Sequence, residues 1–209
     1  VDQDGAEELI VLHTSDMMAG QAAYVFGWDP DAGQIRTQLQ EFPAFTFYES
    51  GAVQADWSHN QGKGGSFWPY TLYRYDEIQD LYVEVGSVDA WEKAQWPEDY
   101  PDQADSSGSG FVYYIHASRA LDWEDPLDAS VYEGWRYPYV RSGQTLEPDY
   151  RSLSQENIQL QPETGQNMMQ GWMVITKQSI RIDIGKLMEF VNIFHIADVP
   201  RIDKVSTHT

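Results

Sequence analysis

The stretch YTLYRYDEIQDLYVEVGS, residues 70–87, admits few folds. Leu72, Arg74 and Asp76 alternate with Tyr73 and Tyr75, a period of two that places successive side chains on opposite faces of a pleated strand. DEIQD, at 76–80, interrupts the pattern with the polar residues of a tight reversal, after which the alternation resumes. Two strands joined so closely pair antiparallel, because a parallel partner needs a long crossover.

The same signature recurs along the first 118 residues of the chain. ELIVLH (8–13), AAYVFGWD (22–29), QIRTQLQEF (34–42), FTFYES (45–50), AVQADW (52–57) and FVYYIHAS (111–118) read as strands. DPDAG (29–33) and ESGAV (49–53) read as turns between them. Aromatic residues make up 14% of the chain, a share that suits strands, where rings pack well on a pleated surface. A few segments break the pattern. SVDAWEKAQW (87–96) reads as one or two helical turns capped by Ser87 or Asp89 and stopped by Pro97. A short helix is expected around 127–136 and another at SLSQENIQLQ (152–161). PEDYPDQADSSGSG (97–110) is loop. WMVITKQSIRIDI (172–184) reads as two strands, and GKLMEFVNIFHIADVP (185–200) as a helix. The expected architecture is one mainly β domain over residues 1–209, an antiparallel meander or blade-like twisted sheets with a few short peripheral helices. The basic-leaning segment 171–209 stands apart in composition. Sandwich, barrel and partial propeller all satisfy this reading.

Thirteen basic residues against thirty-three acidic ones give a formal charge of −20. Such a field repels polyanions, so a nucleic-acid partner is not expected, whereas divalent cations are drawn in. No run approaches the roughly 20 apolar residues of a membrane-spanning helix. The absence of cysteine excludes disulfides, thiolate metal sites and a cysteine nucleophile.

The chain opens with DQDGAEELIV. Alternate acids, a glycine at the bend and a carboxylate just before an apolar strand are the means by which a loop wraps a hard cation in oxygen. With Asp2 and Asp4 at the third and fifth loop positions, Gly5 falls at the sixth, Ala6 offers its carbonyl at the seventh and Glu8 stands at the ninth. The twelfth, where an EF-hand carries its bidentate glutamate, is Val11, so this is not an EF-hand. Calcium held by Asp2, Asp4, the Ala6 carbonyl and Glu8 is one reading, and a tight turn held by side chain to backbone hydrogen bonds is the other. The segment resembles the DxDGDGxxEL loop of integrin-type FG-GAP repeats and similar bacterial surface modules, which implies a calcium-binding loop leading into a β-strand. Over about residues 1–160 the wording is also similar to secreted or lipid-anchored proteins of Gram-positive bacteria that open with this loop. That resemblance implies an extracellular, surface setting and no particular activity. The first aspartate of the pattern would fall ahead of Val1. DSSGSGFVYYI (105–115) echoes the loop, but serine hydroxyls take the place of its second and third acids.

Signatures of catalysis are missing from the sequence. The five histidines, at 13, 59, 116, 195 and 208, make neither HExxH nor HxH. Ser66 in GGSFW lacks the second glycine of a nucleophile elbow, and GKGGS (62–66) is no phosphate loop. The segment WSHNQGKGGSFWPY (57–70) is the other candidate site. Trp57, His59, Asn60, Gln61 and Trp68 would line a shelf for sugar or peptide, with glycines letting the backbone come close. Otherwise they serve a hairpin junction, the amides bonding loop backbone and the indoles entering the core. The function expected from these features is an extracellular, calcium-supported β module that binds a polysaccharide or a surface protein. The alternative is a secreted hydrolase of glycan or peptide polymers, with His59 and an acidic partner as its working groups.

Overall fold

The computed structural model describes residues 8–13, 21–29, 32–60, 62–117, 123–140, 143–148 and 150. Asp2, Asp4, Ala6, Gln61 and the elements expected beyond 150, including the 171–209 segment, lie outside these residues. The chain is mainly β, as its alternation dictates. Three strands, β1 (Leu9–His13), β2 (Ala22–Asp29) and β3 (Gln34–Glu41), form a small antiparallel meander in the order β1-β2-β3. A seven-stranded antiparallel sheet takes in β4 (Phe45–Tyr48), β5 (Ala52–Asp56), β6 (Tyr70–Asp76), β7 (Leu81–Glu92), β8 (Phe111–His116), β9 (Leu127–Asp128) and β10 (Thr145–Leu146). Its order is β10-β4-β5-β6-β7-β8-β9, which does not close into a barrel.

Period-two alternation delivers neighbouring residues to different cores. Phe47, Val53, Tyr73 and Tyr82 pack with Ile10, Val25 and Leu39 of the small sheet. Their sequence neighbours Tyr48, Ala52 and Leu72 face the other way, against Tyr132, Trp135 and Tyr139 of the helix α1 (Ala129–Val140). The result is a sandwich of a small sheet on one part of a large one, with a helix on the far face. Polar contacts lock the seam between the sheets. At the β6–β7 turn Asp80, with φ 51°, accepts hydrogen bonds from Gln38 Nε2 at 2.6 Å and Tyr75 Oη at 2.7 Å, and Arg36 lies 3.8 Å from it. Tyr73 donates to Glu41 across the same seam.

The helix begins at Ala129, two residues later than the sequence suggested, and runs on to Val140 through Pro138. Asp128 caps it, accepting from Ser130 N at 2.9 Å and Ser130 Oγ at 2.5 Å. These donors, with Ser107 N at 2.8 Å, hold its carboxyl well below the usual range. The helical turns expected at 87–96 are absent. β7 continues as strand through Glu92, and only residues 93–95 turn. The reason is tertiary: residues 86–91 are all buried between β6 and β8, where a ladder on both sides satisfies backbone that a two-turn helix would leave half unpaired.

Gly86 shows how closely the helix seats. A methyl group there would stand 3.1 Å from Ile115 Cγ2 and 3.2 Å from both the His116 carbonyl and the Trp135 ring. The carbonyl belongs to the β7–β8 pair and cannot withdraw freely. Gly86→Ala should therefore cost about 1–3 kcal/mol of unfolding free energy, as overpacked sites do. Urea midpoints compare the two chains, and an unchanged midpoint would mean that the helix yields without penalty.

Candidate functional site

Residues 57–69 leave the sheet and return to the same point, where Trp57 N donates to the Pro69 carbonyl at 2.9 Å. Such a compact excursion is an Ω-loop, and its own groups fill it. Asn60 Nδ2 donates to the Phe67 carbonyl at 2.9 Å while Asn60 Oδ1 accepts from Gly62 N at 3.1 Å. Phe67 N donates to the Gly64 carbonyl at 2.8 Å. The loop is also stitched to the end of β7. Lys63 and Trp91 form a parallel bridge, Glu92 N donates to the Lys63 carbonyl at 2.9 Å, and Ser66 N donates to Glu92 Oε2 at 2.8 Å. Gly65 sits at φ 58°, a conformation that favours glycine, and Glu92 Oε2 lies only 2.0 Å from where a Cβ would be, so a side chain there would also have to push the Glu92 carboxylate aside.

Of the five shelf residues of the sequence, the four that are described, Trp57, His59, Asn60 and Trp68, are not gathered around one cleft. Trp57 is half-buried, and its indole N–H donates inward to Thr71 Oγ1 at 3.1 Å. Asn60 braces the loop. His59 is exposed, with Nδ1 2.7 Å from the Ser58 hydroxyl and no carboxylate as partner among the described residues. Trp68 is 49% exposed, its indole N–H fixed to the Trp57 carbonyl at 2.7 Å. His59 and Trp68 thus face solvent on a braced loop.

Beneath the loop lies a polar floor that the sequence did not reveal. On β6 and β7, Thr71, Ser87 and Asp89 are at most 2% exposed. Register places His116 opposite Ser87 and Tyr114 opposite Asp89, so all five share one face of the sheet. A relay of donors crosses it: the Trp57 indole gives to Thr71, the Thr71 and Ser87 hydroxyls lie 2.9 Å apart, and Ser87 gives to Glu84 Oε1 at 2.9 Å. Asp89 Oδ1 accepts from Ala90 N at 2.7 Å. Its Oδ2, like His116 Nε2, is buried without a hydrogen-bond partner among the described residues. A Cβ on Gly62 would come 2.4 Å from that oxygen, so the loop backbone rests directly on the carboxylate. Burial raises the Asp89 carboxyl above the ordinary range, against the opposing pull of the Ala90 N–H and of His116.

Serine, histidine and aspartate on one face have the composition of a nucleophilic triad but not its wiring. Ser87 spends its proton on Glu84, and His116 Nε2 bonds to neither partner. The signal in the sequence was a pair of polar residues at alternate positions of VEVGSVDAWE, hidden by the helical reading of 87–96.

At the calcium-type loop, Glu8 alone is described. It is 8% exposed, immediately ahead of β1, so the acidic segment does lead into a strand. The echo at 105–110 is a self-satisfied turn. Asp105 accepts from Ser109 N and Gly110 N, both at 2.9 Å, from Ser109 Oγ at 3.1 Å and from Tyr100 Oη at 3.1 Å. Burial opposes its ionisation, but the Gly110 and Ser109 N–H groups outweigh it and hold the carboxyl below the usual range. Donors surround this carboxylate where a cation would need acceptors. Among the described residues, no group of three or more His, Asp or Glu is placed to hold a metal ion. No protein-family model, curated protein or solved structure matches the chain.

The raised carboxyl of Asp89 fixes a sign for pH. A group harder to ionise in the fold than in the open chain adds stability while protonated and withdraws it as pH rises through its folded value. Asp89→Asn should therefore melt higher than the wild-type chain at pH 7–8. The advantage should vanish below about pH 3.9, where the aspartate is neutral in both states. Thermal melts across pH 3–8 measure it, and a variant less stable at every pH would show that the charge is compensated in the fold.

Proposed function

We propose that this chain is an extracellular β-sandwich module that binds a polysaccharide or a surface protein through the outer rim of the 57–69 loop, with calcium supporting its N-terminal loop. The carrying observation is the rim itself. Trp68 offers half of its surface to solvent while its single donor is fixed at 2.7 Å to the loop backbone, so the ring is held in place before any ligand arrives. An indole held this way is a stacking platform for a sugar ring or an apolar side chain, and little conformational freedom is lost on contact. His59, exposed beside its Ser58 partner, supplies polar contact at the same rim.

A binding role is favoured over hydrolysis because the groups able to move protons are covered. Asp89 lies under the loop, His116 Nε2 is buried, and the exposed His59 has no carboxylate among the described residues to orient it. Calcium would be held by Asp2, Asp4, the Ala6 carbonyl and Glu8. The buried Glu8 carboxylate at the mouth of β1 suits the last of these roles, and the ion would tie the loop to the strand. Among the described residues no helix is long and apolar enough to cross a membrane.

Two measurements test the reading. Trp68→Ala should weaken binding to a panel of cell-wall glycans and surface proteins by about tenfold or more, roughly 1.4 kcal/mol, without lowering the melting temperature. Millimolar calcium should raise that temperature by a few degrees through binding to the folded state, and Asp4→Asn should abolish the rise. Turnover of a glycan or peptide polymer that disappears in Asp89→Asn would replace this reading with the hydrolase.

A further inference from the structure

Lys63 makes an unusual choice of partner. In a chain with thirty-three carboxylate residues, its ammonium forms no ion pair among the described residues. It sits instead 3.2 Å above the centroid of the Trp91 ring and 5.9 Å from that of Trp123. The two indoles stand 5.8 Å apart at 76°, forming an aromatic corner. Each wall is braced independently of Lys63. The Trp91 indole N–H donates to the Trp96 carbonyl at 2.7 Å, and Trp123 packs edge-on against Tyr114 at 4.9 Å. The corner therefore offers two ring surfaces to one ammonium, the part from which sites for organic ammonium ions are made.

We propose that Trp91 and Trp123 form a binding site for a small organic cation of the quaternary ammonium type, which Lys63 fills as an internal ligand while the loop is seated. Ring faces attract a diffuse, methyl-covered charge that sheds water cheaply, whereas a hard metal ion would need oxygen ligands that the rings do not provide. Lys63 reaches the corner from the loop segment that bridges to Trp91, so displacement of that segment uncovers the rings. Occupancy is thereby a competition between the tethered ammonium and a free one. The site uses neither Trp68 nor His59 and does not depend on the rim reading above.

Removing the internal ligand is the direct test. Tetramethylammonium chloride is titrated into the wild-type chain, Lys63→Ala and Lys63→Ala/Trp123→Leu, with tryptophan fluorescence as readout and sodium chloride at matched ionic strength as control. Lys63→Ala should bind at least tenfold more tightly than wild type, and the added Trp123→Leu should remove that binding. Lys63→Ser, whose short side chain also leaves the corner empty, carries the same expectation and serves should the alanine variant fold poorly. A folded Lys63 variant that gives no saturable response beyond the sodium control overturns the proposal. So does a response that survives Trp123→Leu, since the corner would then not be its source.

Discussion

The position of β7 inside the large sheet governs this molecule. Twelve residues long, the strand is paired with β6 on one side and β8 on the other, and neither neighbour can be exchanged for solvent. Once its backbone is committed to two ladders, every side chain is assigned to one face or the other. Val85 and Val88 join the core under the helix, while Ser87, Asp89 and Trp91 turn to the opposite face. The polar residues have no means of reaching water from there, so each must find a donor or acceptor in place. Ser87 succeeds through Thr71 and Glu84; Asp89 succeeds with only one of its oxygens. The polar floor is thus a product of strand geometry, and the 57–69 loop is the lid that strand geometry requires.

The small sheet explains why that lid exists at all. Three strands cover only part of the large sheet, over Phe47, Val53, Tyr73 and Tyr82, and they are held there by Asp80 and Glu41 at the seam. Further along β6 and β7 the same face continues beyond their reach. Glycines at 62, 64 and 65 let the loop backbone lie flat on this remainder, where side chains would collide with Asp89, Phe67 and Glu92. A glycine-rich segment whose purpose was open in the sequence serves close approach, and it carries His59 and Trp68 outward as a consequence.

What could be read in the sequence was whatever repeats locally. Alternation in YTLYRYD and FVYYIH needs no knowledge of partners, and the turn at 76–80 announces itself by composition. Residues 87–96 misled because Ser, Asp, Ala, Glu and Lys carry helical and capping preferences that burial overrules, and burial is a property of strand neighbours sixteen or more residues away. The contacts that define the site are of the same long-range kind. Ser66 meets Glu92, Gly62 meets Asp89, and Asp89 shares its face with His116. No spacing in the chain encodes those meetings, so Asp89 was read as a helix cap and His116 only as one of five histidines, while His59, conspicuous in its motif, has no carboxylate partner among the described residues.

Charge links the helix face to the loop face. With a net charge of −20, a cation anywhere on this chain sits in a favourable long-range field and does not need a carboxylate at contact distance to be stable. Two half-buried cations use that freedom. Arg136 donates to Tyr48 Oη at 3.2 Å, Tyr48 donates to Gln54, and Gln54 donates to Asp56 at 2.8 Å, so the positive and negative ends are joined through a hydroxyl and an amide. Lys63 rests on an indole. Hydroxyls and ring faces hold a cation by direction more than by Coulomb depth, and salt screens them less than an exposed ion pair. A tethered ammonium held in this way keeps its loop in register under ordinary ionic conditions, and only a competitor of similar softness has a route to replace it.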